Sequence, residues 1–290
     1  MNNRNEVNKL KIMSCWIFVV VAIALGIRNV SDNNIDNNKS SVNSSKKNES
    51  IEEINNKEGL LAKSRSQEQN KSFSTDSDTL KSNEIKRLEG ILNDELFILV
   101  NENNKLEDDY VPSTLVESDI AFEGYIECKQ LDERTSNAAK EMFNAALNDN
   151  VNLIAISGYR SYSVQENLYN SRVEVKGVEK TRQYTAEAGA SEHQTGLAID
   201  IVCNDYPYLD EGFENTDAFK WLYNNCYKYG FILRYQKGKE DITGYNYEPW
   251  HFRYIENANI AKDIMDRGIC FEEFINEVNS QIEELKGVSN

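Results

Sequence analysis

The segment Ser191–Asp200, SEHQTGLAID, runs from a polar turn into an apolar strand. Side chains of a β-strand alternate between its two faces, so Leu197, Ile199 and Ile201 share one face, which predicts packing on a hydrophobic core. Asp200 lies on the opposite face, where a carboxylate is costly unless it is paired or bound to a metal. The segment therefore predicts a core strand that presents one acid. That acid is either a metal ligand or a buried group satisfied by backbone amides or an arginine.

His193 is one of only two histidines in the chain, and it precedes this strand. Gly196 permits a tight approach or a positive φ at the strand entrance, which would let His193 fold back beside Asp200. A lone histidine is usually structural or exposed, so His193 needs a second observation before it indicates a site.

The second histidine, His251, lies in the segment 247–254, YEPWHFRY. Pro249 favours an extended conformation at the preceding residue, Glu248, so we predict a bend there and a strand close to His251. Glu248 precedes His251 by three residues, which is a workable spacing for a base beside a metal ligand.

Together these residues match the ligand set of a catalytic zinc site. Two histidines and one carboxylate (His193, Asp200 and His251) leave one coordination position for water. Zinc lowers the pKa of its bound water towards about 7, and Glu248 would take the proton and pass it to a leaving amine. We therefore predict one Zn²⁺ per domain.

The pattern SxHxxGxAxD, followed downstream by ExxH, resembles the signature of the M15 metallopeptidases, the D-alanyl-D-alanine carboxypeptidase group. The flanking segments 157–165 (SGYRSYSVQ) and 234–254 are similar to its VanY-like branch, and the resemblance spans roughly residues 95–256. It implies the same zinc ligands and the same catalytic base: His193, Asp200, His251 and Glu248.

The resemblance also implies contacts with the substrate. Arg160, in SGYR, is implied to stabilise the carbonyl oxygen as it becomes an oxyanion, and a guanidinium suits that role because it is a fixed and always charged donor. The alternative for Arg160 is an ordinary surface salt bridge. Gln165 and Ser191 are implied as further substrate contacts, with the terminal carboxylate as a candidate group.

The function implied is a zinc-dependent carboxypeptidase that removes the terminal D-alanine from peptidoglycan stem peptides, acting as a monomer. One alternative keeps the zinc site but cleaves a different bond, so that the protein is an L,D-carboxypeptidase or a peptidoglycan endopeptidase. Another is a non-catalytic, zinc-containing module that binds the cell wall. Glu248 discriminates against that module, because binding alone needs no base.

The chain divides into three predicted regions. Residues 1–28 carry basic residues and then an apolar run, which predicts a signal peptide or signal anchor. Residues 29–82 are rich in Asn, Ser, Lys and Glu and predict a disordered linker. Residues 83–290 form the predicted peptidase domain. The extracytoplasmic face of the membrane or the cell wall is therefore expected, with the membrane contacted only through the N-terminal segment.

The charge and the cysteine content of the chain argue against two classes of function, nucleic-acid binding and zinc fingers. The net charge of −16 argues against nucleic acid, because neutralising phosphates needs a basic surface. The domain's four cysteines form no CxxC pair, so a zinc finger is not indicated. Buried free thiols are favoured over disulfides, because the domain is large enough to build a core without them. These residues are Cys128, Cys203, Cys226 and Cys270.

Helices and short strands follow one another without a regular βαβ alternation, which predicts the α+β class. We expect a single domain with a small antiparallel sheet flanked by helices. The predicted strands are 97–100, 153–156, 197–202, 231–235 and 251–254. The predicted helices are 85–92, 136–147, 217–229, 257–267 and 271–286.

Overall fold

The computed structural model describes residues 78–126 and 128–287, and it mixes helices with short antiparallel strands. The strands are β1 (Leu115–Glu117), β2 (Gln130–Asp132), β3 (Ile154–Ser157), β4 (Ala198–Val202), β5 (Phe231–Leu233) and β6 (His251–Tyr254). The helices are α1 (78–92), α2 (Glu133–Asn148), α3 (Tyr162–Lys176), α4 (Val178–Arg182), α5 (Asp217–Asn225), α6 (Glu240–Thr243), α7 (Ala258–Arg267) and α8 (Phe271–Lys286). The predicted α+β class is confirmed.

The N-terminal segment 1–28 and most of the predicted linker 29–82 lie outside the described residues. Among the helices that are described, none has the length and apolar character needed to cross a membrane.

The four-stranded sheet has the order β3-β4-β6-β5, and each neighbouring pair is antiparallel. The register between β4 and β6 places Asp200 opposite His251. An irregularity in β3 after Ala155 places Ser157 opposite Asp200 on the other side. Two predicted ligands are therefore neighbours because of strand pairing, although 51 residues separate them in the chain.

One face of β4 packs into the hydrophobic core, as the alternation predicted. Ile199 and Ile201 are completely buried, in one hydrophobic cluster with Ala139 and Met142 of helix α2. Burying a large aliphatic side chain contributes about 1.5–3 kcal/mol, so β4 is held firmly in place. Asp200 therefore sits on a rigid strand.

The predicted helix 217–229 is confirmed, as α5 followed by a 3₁₀ turn over Cys226–Tyr229. Gly230 ends it with φ of 76°. A side chain at Gly230 would meet backbone atoms of Glu256 at 2.6 Å, so both the conformation and the space require glycine.

The predicted strand 97–100 is wrong. Leu96 and Phe97 end a 3₁₀ turn instead, and the carbonyls of Leu96 and Ile98 accept hydrogen bonds from Arg253 Nη2 at 2.9 and 3.0 Å. Because a buried guanidinium satisfies these backbone groups, the segment needs no neighbouring strand.

Helix α3 was not predicted. Gln165 is its only buried residue, so the helix has no apolar stripe of the kind that reveals a surface helix in a sequence. The N-cap is nevertheless present, because Ser161 Oγ accepts from the backbone N–H of Val164.

The four cysteines in the described part of the chain are free. Cys203, Cys226 and Cys270 are buried, as expected for structural thiols, whereas Cys128 is exposed and departs from that expectation. Burial raises the pKa of Cys226 to about 12, so its thiol stays protonated and unreactive.

Candidate active site

His193 lies on a 3₁₀ turn, Glu192–Thr195, that leads into β4. Gly196 ends this turn with φ of 70°, and a Cβ there would lie 2.9 Å from the amide of Asp132. The positive φ turns the chain so that His193 returns to the strand. His193 Nε2 lies 3.3 Å from Asp200 Oδ2. The glycine at position 196 predicted this close approach of His193 to Asp200.

His251 begins β6 directly opposite Asp200. Its Nδ1 lies 3.1 Å from Asp200 Oδ1. The rings of His193 and His251 meet edge to face with centroids 5.0 Å apart. All three residues are buried, and one ligand atom from each lies within 4.8 Å of the others.

The three donors fit a zinc ion. His193 Nδ1 lies 2.7 Å from the carbonyl oxygen of Gly158, and we assign it as a donor, which leaves Nε2 with a free lone pair. His251 Nε2 lies 3.3 Å from Glu192 Oε2, which in the same way leaves Nδ1 free. Each histidine thus turns its unprotonated nitrogen towards Asp200, and outer hydrogen bonds of this kind orient histidine ligands in zinc sites.

Glu248 stands beside this cluster in the bend that Pro249 enforces. The amide of His251 donates to the Glu248 carbonyl at 3.2 Å, and Glu248 Oε2 lies 3.9 Å from His251 Nδ1. Burial, reinforced by the charge of Asp200, raises the pKa of Glu248 to about 8. A carboxyl group with such a pKa can gain and lose a proton near neutral pH.

Arg160 follows β3 and is fixed by three hydrogen bonds. Its amide donates to the His193 carbonyl at 3.1 Å. Its Nη1 and Nη2 donate to Gln165 Oε1 at 2.6 Å and to Ser157 Oγ at 2.8 Å. Within the described ranges, no carboxylate forms an ion pair with Arg160. The alternative reading of Arg160 as part of an ordinary surface salt bridge is therefore wrong.

Gln165 and Ser191 differ in whether their side-chain polar groups already have hydrogen-bond partners. Gln165 accepts from Arg160 and donates to the Ala186 carbonyl at 2.6 Å, so both ends of its amide are occupied. The Ser191 hydroxyl has no hydrogen-bond partner among the residues that the structure describes. Gln165 therefore positions Arg160, whereas Ser191 keeps its hydroxyl available.

One cavity of about 580 Å³ brings all the predicted site residues together. Its lining includes Arg160, Gln165, Ser191, His193, Asp200, Glu248 and His251. The arrangement combines a metal-type ligand set, a buried acid–base group and a fixed cation. That combination can activate water against a carbonyl and stabilise the charge that develops.

Sequence reasoning missed Glu192, which lies behind His251. Glu192 Oε1 accepts from Arg234 Nε at 2.7 Å and from Arg253 Nη1 at 2.9 Å. Arg234 also pairs with Glu272 at 2.6 Å. Burial alone would raise the pKa of Glu192, but the two arginines hold it well below its usual range. The signal in the sequence was an acid directly before His193.

Comparisons with known proteins identify the family of the chain. A family model described as VanY, D-alanyl-D-alanine carboxypeptidase, matches residues 128–257. "Putative carboxypeptidase YodJ" of Bacillus subtilis (strain 168) is 42% identical over 221 residues, which are 74% of this chain and 80% of that protein. The chain therefore spans most of this relative.

Two solved structures are also similar. One is the LdcB LD-carboxypeptidase, in a study of peptidoglycan recognition, with 44% identity, a TM-score of 0.57, and 61% of this chain and 84% of that chain covered. Another is a mutant of the vancomycin resistance D,D-pentapeptidase VanY with Zn(II), with 32% identity, a TM-score of 0.51, and 63% and 99% covered.

The fold and the site thus define a hydrolytic peptidase. More narrowly, the chain belongs to the VanY family of carboxypeptidases.

Proposed function

We propose that this protein is a zinc-dependent carboxypeptidase that removes the terminal D-alanine from peptidoglycan stem peptides. The observation that carries the proposal is the convergence of His193, Asp200 and His251 within 4.8 Å, with Glu248 and Arg160 lining the same cavity. The zinc in a VanY structure supports the choice of metal.

Zinc held by the two histidines and Asp200 would supply Lewis-acid activation of water and of the scissile carbonyl. Glu248 accepts a proton from the attacking water and returns it to the leaving amine of D-alanine. Its buried position keeps the proton close to the reacting atoms. Arg160, held by Gln165 and Ser157, donates to the carbonyl oxygen as negative charge grows there.

The family description favours the bond between two D-alanines of a pentapeptide stem. A second candidate is the L,D bond of a tetrapeptide stem, because the LdcB LD-carboxypeptidase is 44% identical to this chain. Both reactions release one D-alanine and use the same residues. A non-catalytic wall-binding module is disfavoured, because it has no use for a buried acid, Glu248, beside the proposed metal ligand His251.

We also propose that the domain acts as a monomer outside the membrane, attached or exported through residues 1–28. If residues 29–82 form the linker that their composition predicts, they would give the domain a root-mean-square reach of roughly 40 Å. That distance gives access to precursor and nascent wall near the membrane.

The test is mass spectrometry of products from pentapeptide, tetrapeptide and crosslinked stems, incubated with the zinc-loaded full chain. We expect release of D-alanine from a linear stem, and loss of release after chelation and in His193→Ala. Cleavage inside the stem or of the crosslink alone would replace the carboxypeptidase by an endopeptidase. Wall binding without any product would leave only the binding module.

A further inference from the structure

Glu272 is a buried acid outside the catalytic cavity. It lies in the first turn of α8, beyond residues 128–257, which the family model matches. The residue is only 6% exposed. A carboxylate at that depth is costly unless it is paired, so its partners indicate what it does.

Arg234 joins Glu272 to Glu192, the acid behind His251. Its Nη1 and Nη2 donate to the two carboxylate oxygens of Glu272 at 2.8 and 2.6 Å, and its Nε donates to Glu192 Oε1 at 2.7 Å. Two parallel hydrogen bonds fix the plane of a guanidinium as well as its position. Although burial opposes the charge of Arg234, the two carboxylates raise its pKa well above the usual value. Arg234 is therefore a permanent cation whose orientation depends on Glu272.

Glu192 connects Arg234 to a proposed zinc ligand. Its Oε1 accepts from Arg234, and its Oε2 lies 3.3 Å from His251 Nε2. The opposite ring nitrogen, His251 Nδ1, lies 3.1 Å from Asp200 Oδ1. Because the two oxygens of a carboxylate are rigidly joined, a rotation that moves Oε1 away from Arg234 also moves Oε2 relative to the ring.

Glu272 is itself held in place by its surroundings. Asn101 Nδ2 donates to Glu272 Oε1 at 3.2 Å. The preceding residue, Phe271, is completely buried, and its ring centre lies 5.6 Å from Arg234 Cζ and 5.3 Å from Arg253 Cζ. Cations over an aromatic face are attracted to it. The two arginines and the two glutamates form one buried charge cluster whose formal charges cancel.

We propose that Glu272 is a positioning residue for the zinc site and acts on the ligand His251 through Arg234. The inference rests on the zinc binding of the proposed function, and it gives helix α8 a share in metal affinity. Without the charge of Glu272 the cluster would be net positive, which disfavours a cation at the neighbouring ligands. Arg253 also holds Glu192, so the loss should be smaller than the loss from changing Glu192 itself.

The test measures zinc affinity of the full chain by competition with a chromophoric chelator, which needs no substrate. Glu272→Gln keeps the shape of the side chain but removes its charge and turns one acceptor into a donor that faces Arg234. We expect the dissociation constant for zinc to rise about 3- to 10-fold, below the 10- to 100-fold typical of a group that contacts a metal ligand directly. An unchanged dissociation constant would overturn the inference.

Two control variants of α8 separate positioning from other effects. Glu273→Gln is the matched control for charge, because it removes an acid from the adjacent residue, where the partner is Lys239. Val278→Ala is the control for stability, because it removes buried volume from the core side of α8. Both should bind zinc like wild type. An equal rise in either control would contradict the inference, because charge or stability alone would then explain it.

Arg234→Lys tests the same link if Glu272→Gln does not fold. A lysine keeps the charge but lacks the planar fork that joins Glu192 to Glu272, so a rise in the dissociation constant is expected here too. The visible absorption spectrum of the Co²⁺-loaded chain adds a measure of ligand geometry. It should change in Glu272→Gln and Arg234→Lys and stay constant in the two controls. Folded variants with wild-type affinity and spectrum would refute the link.

Zinc affinity and turnover together separate this inference from the proposed function. If wild type binds zinc and Glu272→Gln binds it more weakly, but wild type releases no D-alanine, only the proposed reaction fails. If wild type releases D-alanine and Glu272→Gln keeps full zinc affinity, only the role of Glu272 fails. A wild-type chain that binds no zinc would overturn both.

Discussion

Two buried glutamates flank His251, and the protein gives them opposite environments. Behind the ring, Glu192 contacts Arg234 and Arg253 and remains ionised. In front of it, Glu248 faces the cavity without an arginine hydrogen bond, and burial raises its pKa to about 8. One carboxylate is therefore fixed as a permanent charge, whereas the other is able to exchange protons.

Glu192 and Glu248 differ in their charged partners and not in how deeply they are buried. Both side chains are almost completely buried, so desolvation opposes ionisation in each. Two guanidinium groups outweigh that cost for Glu192. Glu248 has no hydrogen bond to a guanidinium group, and the opposing charges of His251, Arg160 and Arg172 do not outweigh the cost of its burial. A permanent anion orients a histidine ligand, and a group that titrates near neutral pH transfers protons. The four predictions below test this division of labour.

The largest effect is expected for Glu248→Gln. This change removes the proton acceptor while preserving shape, so kcat for D-alanine release should fall about 10²- to 10⁴-fold. Zinc content, measured by elemental analysis, should stay at the wild-type level. Glu273→Gln on α8, which alters an ion pair with Lys239, should leave kcat unchanged.

Arg234→Met should cost the most stability. It leaves Glu192 and Glu272 without their shared cation in a fully buried setting, and breaking such a pair costs about 3–5 kcal/mol. Urea denaturation followed by circular dichroism measures the free energy of unfolding. Arg87→Met, which breaks an exposed pair with Glu84, should cost under about 1 kcal/mol. Equal losses of unfolding free energy in the two variants would show that the buried pairs of Arg234 contribute no more to stability than an exposed pair.

Glu192→Gln should weaken zinc binding and leave the catalytic step unchanged. Loss of the carboxylate behind His251 is expected to raise the dissociation constant for zinc about 10- to 100-fold. Competition with a chromophoric chelator measures that constant without using activity. At saturating zinc, kcat should return close to the wild-type value. A kcat that stays low there would place Glu192 in the proton transfer itself.

The smallest effect is expected for Thr216→Ala, far from the site. The Thr216 hydroxyl caps α5 by accepting from the Phe219 amide at 3.1 Å, and losing such a cap costs about 1 kcal/mol. Thermal unfolding should report this loss while zinc affinity and kcat remain unchanged. Zinc loss in this variant would mean that affinity follows overall stability and not the contacts of His251.

Much of the site could be predicted because its residues obey local rules. Strand alternation placed Asp200 away from Ile199 and Ile201, and Gly196 marked the turn that returns His193. The spacing of Glu248 from His251 indicated the base, and the family resemblance supplied Arg160. The role of Glu192 could not be predicted, because it depends on the pairing of β4 with β6 and on two buried arginines that are distant in the chain.

The most direct test measures zinc affinity and D-alanine release on Glu248→Gln and Glu192→Gln side by side. We expect opposite defects: Glu248→Gln binds zinc like wild type but releases almost no D-alanine, and Glu192→Gln binds zinc weakly but regains release at saturating zinc. The division of labour at His251 would be contradicted if both variants lost zinc to the same degree, or if Glu248→Gln released D-alanine at the wild-type rate.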